Sequence, residues 1–371
     1  IGNTGDNVLD GLGGFDLLKG GAGDDRYRVH AGDAVVELAG QGVDWVYSDT
    51  SFVLPDNVEN LKLEGNYIYG LWGTGNALDN TIIGRWDVGD NHLDGGLGAD
   101  TLVGGYSSDT FVVDNAGDVI IDDGTAGRDT VRSSVSYTLG ANLEDLVLTG
   151  ATAIEGRGNH HDNVLDGSLS PASNHLVGGA GDDLYRVGRG DTVHEAADSG
   201  VDTVEFIGIG YSVQNLASYG EVENLRFGQG AGGTLVGSQY KNALQGGGMA
   251  DHILGNGGDD HLIGGDGDDT LEGGTGDDIL HGGLGNDRYL IDTGHGDDIL
   301  LDQTGYDTVV FAASIQAGDV SWIAQGDDLK LLIGPHQSLL VENWAGGGSI
   351  DCFQFSDGTE VRRADVESVL A

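Results

Sequence analysis

Residues 246–290 read GGGMADHIL, GNGGDDHLI, GGDGDDTLE, GGTGDDILH and GGLGNDRYL, five uninterrupted copies of one nine-residue unit. Glycine opens each copy, aspartate holds its sixth place and an apolar residue its eighth. Glycines permit a tight loop whose carbonyls turn inward. The residues around the apolar position suit a short strand with only its middle side chain buried. Two units then close a coil of about 18 residues, and coils stack at about 4.8 Å, the usual strand spacing. Stacking sets Asp251 above Asp269, Asp260 above Asp278 and Asp269 above Asp287. Loops lined this way present hard oxygen donors. The expected carboxylate ligands are Asp251, Asp260, Asp269, Asp278 and Asp287, and the expected backbone carbonyls those of Gly255, Gly257, Gly264, Asp266, Gly273 and Thr275. Such a set suits Ca2+, which takes six to eight oxygens in irregular geometry. Magnesium requires a stricter octahedron, and zinc a convergence of His or Cys that the pattern does not supply.

The repeats resemble those of the RTX (repeats-in-toxin, haemolysin-type calcium-binding) family, whose signature is GGxGxDxUx. The resemblance implies an all-β chain: a parallel β-roll, or β-solenoid, binding several calcium ions. It also implies a secreted or cell-surface protein of a Gram-negative bacterium, exported by type I secretion machinery.

Composition fits that expectation. The chain has 61 acidic and 16 basic residues among 371, a formal net charge of −45, and 69 glycines. Charge of one sign opposes compaction, and glycine raises the entropy cost of order. Without a cation, residues 246–290 are therefore expected to be disordered, and metal binding and folding to be one coupled event. So negative a field argues against nucleic acid as a partner. No apolar run approaches the ~18 residues of a spanning helix, which argues against membrane insertion. The single cysteine, Cys352, excludes an internal disulfide framework. Ile1 enters the pattern without a methionine, so the chain reads as part of a longer protein.

The nine-residue frame recurs upstream, giving four blocks. The expected divisions are residues 1–74, 75–155 and 156–236, each a repeat block plus strand-rich connector coils, then 237–302 as the main calcium-binding roll and 303–371 as a β-rich cap and secretion region. Candidate ligands in the first three blocks are Asp16, Asp25, Asp100, Asp109 and Asp183; Asn7, Asn80, Asn91, Asn163 and Asn174 put a neutral oxygen at other sixth places and should weaken affinity. Each block ends with an aromatic at the buried position (Tyr27, Phe111, Tyr185 and Tyr289), read as a plug for the core. The connectors alternate apolar and polar residues at period two and read as strands.

From about residue 303 the pattern stops. VENW and FQFSDGTE resemble the haemolysin-related domain that often follows such repeats. Several strands, a turn at Ser356–Gly358 and a short terminal helix are expected there, covering the open end of the stack.

No GxSxG, HExxH or GxxxxGK[ST] occurs, so the chain is expected to be non-catalytic. His175, His252, His261 and His281 sit at strand or loop-edge positions and are expected to face outward; the His160–His161 pair offers a weaker transition-metal alternative. Two other roles fit the same residues. One is a calcium-stiffened segment of a surface adhesin or S-layer-like protein that self-associates. The other is an accessory module of a polysaccharide-modifying enzyme, with Trp45, Trp72, Trp86 and Trp344 as exposed rings able to stack on sugars.

Overall fold

The computed structural model describes the chain apart from residues 66–69, 87–88, 123–125, 197–199, 209–212, 303, 335, 347–349 and 371. The middle of the eleven-residue variant at 84–94, parts of the second and third connectors, and the expected boundary at 303 lie outside the described residues. The chain divides into two compact units, residues 1–183 with 189–192, and residues 184–188 with 193–371. Both are parallel β-solenoids.

In the first unit one sheet runs through Val8–Asp10, Arg26–Val29, Trp45–Ser48, Asn60–Leu63, Thr81–Ile83, Thr101–Val103 and Val119–Ile121, each strand parallel to the next. Alternation along each strand sends one apolar side chain inward, and the register stacks these into a column: Tyr27, Val46, Leu61, Ile82 and Leu102, all fully buried. A second column, Leu93, Phe111, Val131, Leu146 and Leu165, closes the other side of the coils. Leu93 and Phe111 are partners 18 residues apart, whereas Val131 and Leu146 are 15 apart and Leu61 and Ile82 are 21 apart. The connectors therefore form coils of their own, of variable length.

In the second unit Leu225, Leu244, Leu262, Leu280 and Leu300 make one column and Leu235, Ile253, Leu271, Tyr289 and Val309 the other, with the 18-residue register kept from Leu244 to Leu280 and from Leu235 to Tyr289. The strands here are six residues long (His252–Gly257, His261–Asp266, Thr270–Thr275 and Ile279–Leu284), longer than the three-residue strands expected. The glycine pairs explain the difference. Gly265 and Gly283 pair with no Cβ on either side, and Asn256 pairs with a glycine, Gly274, so bridging runs on into the loop.

Antiparallel pairing ends the stack. Ser338–Val341 lies parallel to Asp297–Leu301 but antiparallel to Asp328–Ile333, which hairpins with Val320–Gln325. Ile350–Gln354 covers Asp307–Phe311 and is itself paired with Glu360–Arg362. The helix Arg363–Leu370 follows a turn in which the Gly358 amide donates to Phe355 O. Trp344 is not exposed, as a sugar-stacking role requires. It is 5% accessible, with the Arg363 guanidinium 4.3 Å from its ring centre, and packs near Phe353 inside this cap.

Candidate metal centre

Two buried files of carboxylates run along the second unit. The Asp251 amide donates to Asp269 Oδ1 at 2.7 Å, Asp269 to Asp287 at 2.8 Å, and Asp287 to Asp307 at 2.8 Å. In the other file Asn242 donates to Asp260 at 2.7 Å, Asp260 to Asp278 at 2.8 Å, and Asp278 to Asp298 at 3.0 Å. Each aspartate thus uses one oxygen to hold the amide of its counterpart one coil back. The side chains are almost fully buried, from 0% exposure at Asp269 to 4% at Asp251. Expected neighbours in the sequence are neighbours in space.

The second oxygen separates two kinds of repeat. At Asp25, Asp100, Asp260, Asp269, Asp278 and Asp287, Oδ2 is buried with no hydrogen-bond partner among the described residues. At Asp251 and Asp109 it accepts the amide of the repeat's second residue, Gly247 at 2.8 Å and Gly105 at 2.7 Å. Asn7, Asn80, Asn163 and Asn242 receive the same bond from Asn3, Asn76, Asn159 and Ser238. Backbone conformation decides which occurs. The second residue of every repeat with an unpartnered Oδ2 has positive φ: Gly21 100°, Gly96 79°, Asn256 75°, Gly265 111°, Gly274 107° and Gly283 115°. That left-handed turn swings its amide away from the carboxylate. The second residues of the satisfied repeats lack it. The open repeats carry a buried anionic oxygen that needs a partner; the closed repeats supply their own.

The first-position glycines leave room for that partner. A Cβ on Gly255 would stand 2.3 Å from Asp260 Oδ2 and 2.4 Å from Gly273 O. On Gly264 it would stand 2.3 Å from Asp269 Oδ2 and 2.4 Å from Gly282 O. A carboxylate oxygen and the carbonyl of the next coil therefore converge on one cradle, which fits a hard cation. Gly273 O thus lies beside the Gly255 cradle and Gly282 O, which the spacing did not single out, beside that of Gly264; Gly255 O and Gly264 O lie in the same way beside Gly237 and Gly246. Of the third-position carbonyls, that of Thr275 accepts the Gly258 amide at 2.9 Å, while Gly257 and Asp266 donate their amides to Ser238 O and Gly247 O. Asp16 differs from its counterparts. It is half-buried, its amide is held by Asp33 at 2.9 Å, and among the described residues no ladder bond reaches its carboxylate. The Asp183 carboxylate holds the Asn163 amide at 2.8 Å.

Burial pushes these carboxyls up. Desolvation is the first cause throughout, with like charges from neighbouring acids adding to it: Asp260 and Asp269 rise to about 7, and Asp278, Asp287 and Asp100 to about 6. A nearby cation is the ordinary remedy for such a burden.

Sequence reasoning missed two further sets. Fifth-position acids form an exposed ladder of opposite sense, in which the Asp277 amide donates to Asp259 Oδ1 at 3.0 Å and Asn286 to Asp268 at 2.8 Å; the GDD doublet is its signal. Connector acids join the buried files: Asp25 donates to Asp44 at 2.8 Å, Asp109 to Asp129 at 2.7 Å, and Asp100 to Asp118 at 2.9 Å. Their signal is an acidic residue four or five places after the connector's Gly-Asp (Glu37, Asp122, Glu195, Asp302) and another just before the following strand (Asp44, Asp129, Asp202) or at its first position (Asp307). His252 Nε2 is buried without a partner among the described residues, against the outward-facing expectation for that residue, and His295, for which no such expectation was made, is buried against Asp298 at 2.8 Å.

A family model described as RTX calcium-binding nonapeptide repeat (4 copies) matches residues 1–36, 87–120, 171–193, 236–271 and 254–289. These stretches are RTX calcium-binding nonapeptide repeats. Over 68 residues it is 40% identical to the endo-1,3-1,4-beta-glycanase ExsH of Rhizobium meliloti (strain 1021), a match covering 18% of this chain and 14% of that protein. The extracellular lipase LipA of Serratia marcescens is similar at 19% identity and a TM-score of 0.25, over 58% of this chain and 43% of the lipase. The matches therefore span less than half the length of either protein. Among the described residues no helix is long and apolar enough to cross a membrane.

Proposed function

We propose that this chain is the calcium-responsive, non-catalytic region of a secreted protein, kept open in a calcium-poor cytosol during type I export and folded outside. The unpartnered Oδ2 atoms of Asp260, Asp269, Asp278 and Asp287 support this reading most strongly. In a metal-free stack those oxygens would be buried anions with neither proton nor donor, a costly state that the chain escapes by unfolding or by protonation. These carboxylates, with the carbonyls of Gly273 and Gly282 beside Asp260 and Asp269, would hold calcium, whose positive charge would offset theirs. Low cytosolic calcium then leaves carboxylate repulsion to hold the chain extended, and the buried leucine columns form only when the charge is met. The antiparallel strands after residue 319 close the last coil, consistent with a cap that also carries the export address.

The test is a calcium titration followed by far-ultraviolet circular dichroism and hydrodynamic radius. Strand signal and compaction should appear together as chelator gives way to millimolar calcium. Equal strand content and equal radius in both conditions would reject the coupling.

A second reading rests on exposed aromatics in the first unit. Trp72 is 62% exposed and stacks on His92 at 4.6 Å, while Trp86 meets Tyr106 at 6.0 Å. Such rings suit the apolar faces of sugars, and surface polysaccharide is the corresponding partner. A glycan-binding screen in calcium, with Trp72→Ala as control, decides between an exported tail and a sugar-binding module.

A further inference from the structure

We infer that the end of the first repeat block carries a distinct divalent-cation site, built from one repeat carboxylate and two connector carboxylates: Asp25, Glu37 and Asp44. This rests on the calcium reading above but adds a site outside the nonapeptide pattern. One oxygen from each of the three residues lies within 4.8 Å of those of the others, and all three side chains are buried. Oxygens bound to one calcium at about 2.4 Å cannot lie more than about 5 Å apart, so the cluster has the right span.

Each residue commits one oxygen to the scaffold and leaves the other bare. Asp25 Oδ1 accepts the Asn7 amide at 2.7 Å, and Asp44 Oδ1 accepts the Asp25 amide at 2.8 Å. Glu37 Oε1 accepts the Gly20 amide at 3.0 Å and the Tyr27 hydroxyl. The remaining atoms, Asp25 Oδ2, Glu37 Oε2 and Asp44 Oδ2, are buried with no partner. Asp25 Oδ2 turns toward Gly20: a Cβ there would meet it at 1.9 Å and the Tyr27 hydroxyl oxygen at 2.2 Å. Three acids held rigidly by backbone amides, with three oxygens left bare in a buried space, make a preformed cage for a hard cation. Three carboxylates exceed the single carboxylate of an ordinary repeat, so this site should fill before the neighbouring repeats. Carboxylate triples of the same span lie at the ends of later blocks, as Asp109, Asp122 and Asp129, and as Asp287, Asp302 and Asp307, but Asp109 differs in that its Oδ2 already accepts the Gly105 amide. The plug aromatic thereby gains a second role: Tyr27 and Tyr289 orient a connector acid through their hydroxyls, and Phe111 cannot.

Equilibrium dialysis of the full chain against radioactive calcium tests this, with Glu37→Gln and Asp44→Asn as separate variants. Each keeps the oxygen that holds the backbone amide and removes one charge from the site. The expected result is a loss of about one bound calcium, or a weakening of the tightest phase on the order of tenfold, with circular dichroism at saturating calcium unchanged. If Glu37→Gln does not reach wild-type strand content, Asp44→Asn decides on the same criterion. Wild-type count and wild-type affinity in a folded variant would overturn this site alone. A wild-type chain that binds no calcium would instead overturn the reading on which it rests.

Discussion

The Asp269 amide donates to Asp287 Oδ1 at 2.8 Å, across one full coil and 18 residues of sequence. The bond fixes the height and rotation of one coil on the next, and it leaves Asp287 Oδ2 bare in the interior. The same side chain therefore sets register and creates the demand for a cation. The consequences below follow from that double role.

Asp269→Asn removes one charge but keeps an oxygen for the Asp251 amide. The register should survive. Without metal the variant should be more compact than wild type, since repulsion along the file falls. Its calcium midpoint should rise on the order of tenfold, because fewer charged ligands mean weaker binding. Titrations of both proteins by circular dichroism check this; an unchanged midpoint would remove Asp269 from the ligand set.

Gly264→Ala and Gly248→Ala form a matched pair. A Cβ at Gly264 would stand 2.4 Å from Gly282 O and 2.3 Å from Asp269 Oδ2, whereas one at Gly248 meets nothing within 4 Å. Overpacking of this kind costs about 1–3 kcal/mol. Thermal unfolding in saturating calcium should show that loss at Gly264 and almost none at Gly248. Equal melting temperatures would mean that the cradle is not tight.

Leu262→Ala opens a void between Leu244 and Leu280 in a column with no solvent access. The expected loss is about 2–5 kcal/mol in calcium, read by denaturant unfolding. A smaller loss would indicate that neighbouring coils collapse onto the gap.

Acidity acts in opposite directions with and without metal. Asp260 and Asp269, raised to about 7 by burial and then by neighbouring acids, bind protons in the folded chain that an unfolded aspartate at about 3.9 has already released. Between roughly pH 4 and 7 the metal-free folded state thus holds more protons than the unfolded one, and its stability falls as pH rises through that window. Calcium needs the same carboxyls ionised, so its affinity should rise over the same range. Melting in chelator should occur at higher temperature at pH 5 than at pH 8, and calcium should reverse the order. Parallel pH profiles in both conditions would show that the buried carboxyls are not the coupling groups.

The core was legible because period nine with an apolar eighth residue has one economical solution, and Leu244, Leu262 and Leu280 occupy it. The alignment of Asp251 with Asp269 followed from the same arithmetic. What spacing could not reveal is the conformation of the second residue. Gly247 and Gly265 are the same residue in the same frame, yet only Gly265 has positive φ, and so Asp251 is satisfied while Asp269 is not. The connector acids escaped for another reason. Glu37 and Asp44 lie 12 and 19 residues beyond Asp25, off the nine-residue frame, and only the variable length of the connector coil brings them back to it. Trp344 looked exposed in a polar stretch because its partners, Phe353 and Arg363, come from later elements of the cap.

Crystals grown in millimolar calcium and measured for anomalous scattering would locate cations in residues 246–290. Peaks are expected between successive coils beside Oδ2 of Asp260, Asp269, Asp278 and Asp287, with none beside the satisfied Asp251. Folded coils whose carboxylates show no ion at any of the four would contradict charge neutralisation by calcium as the basis of this fold.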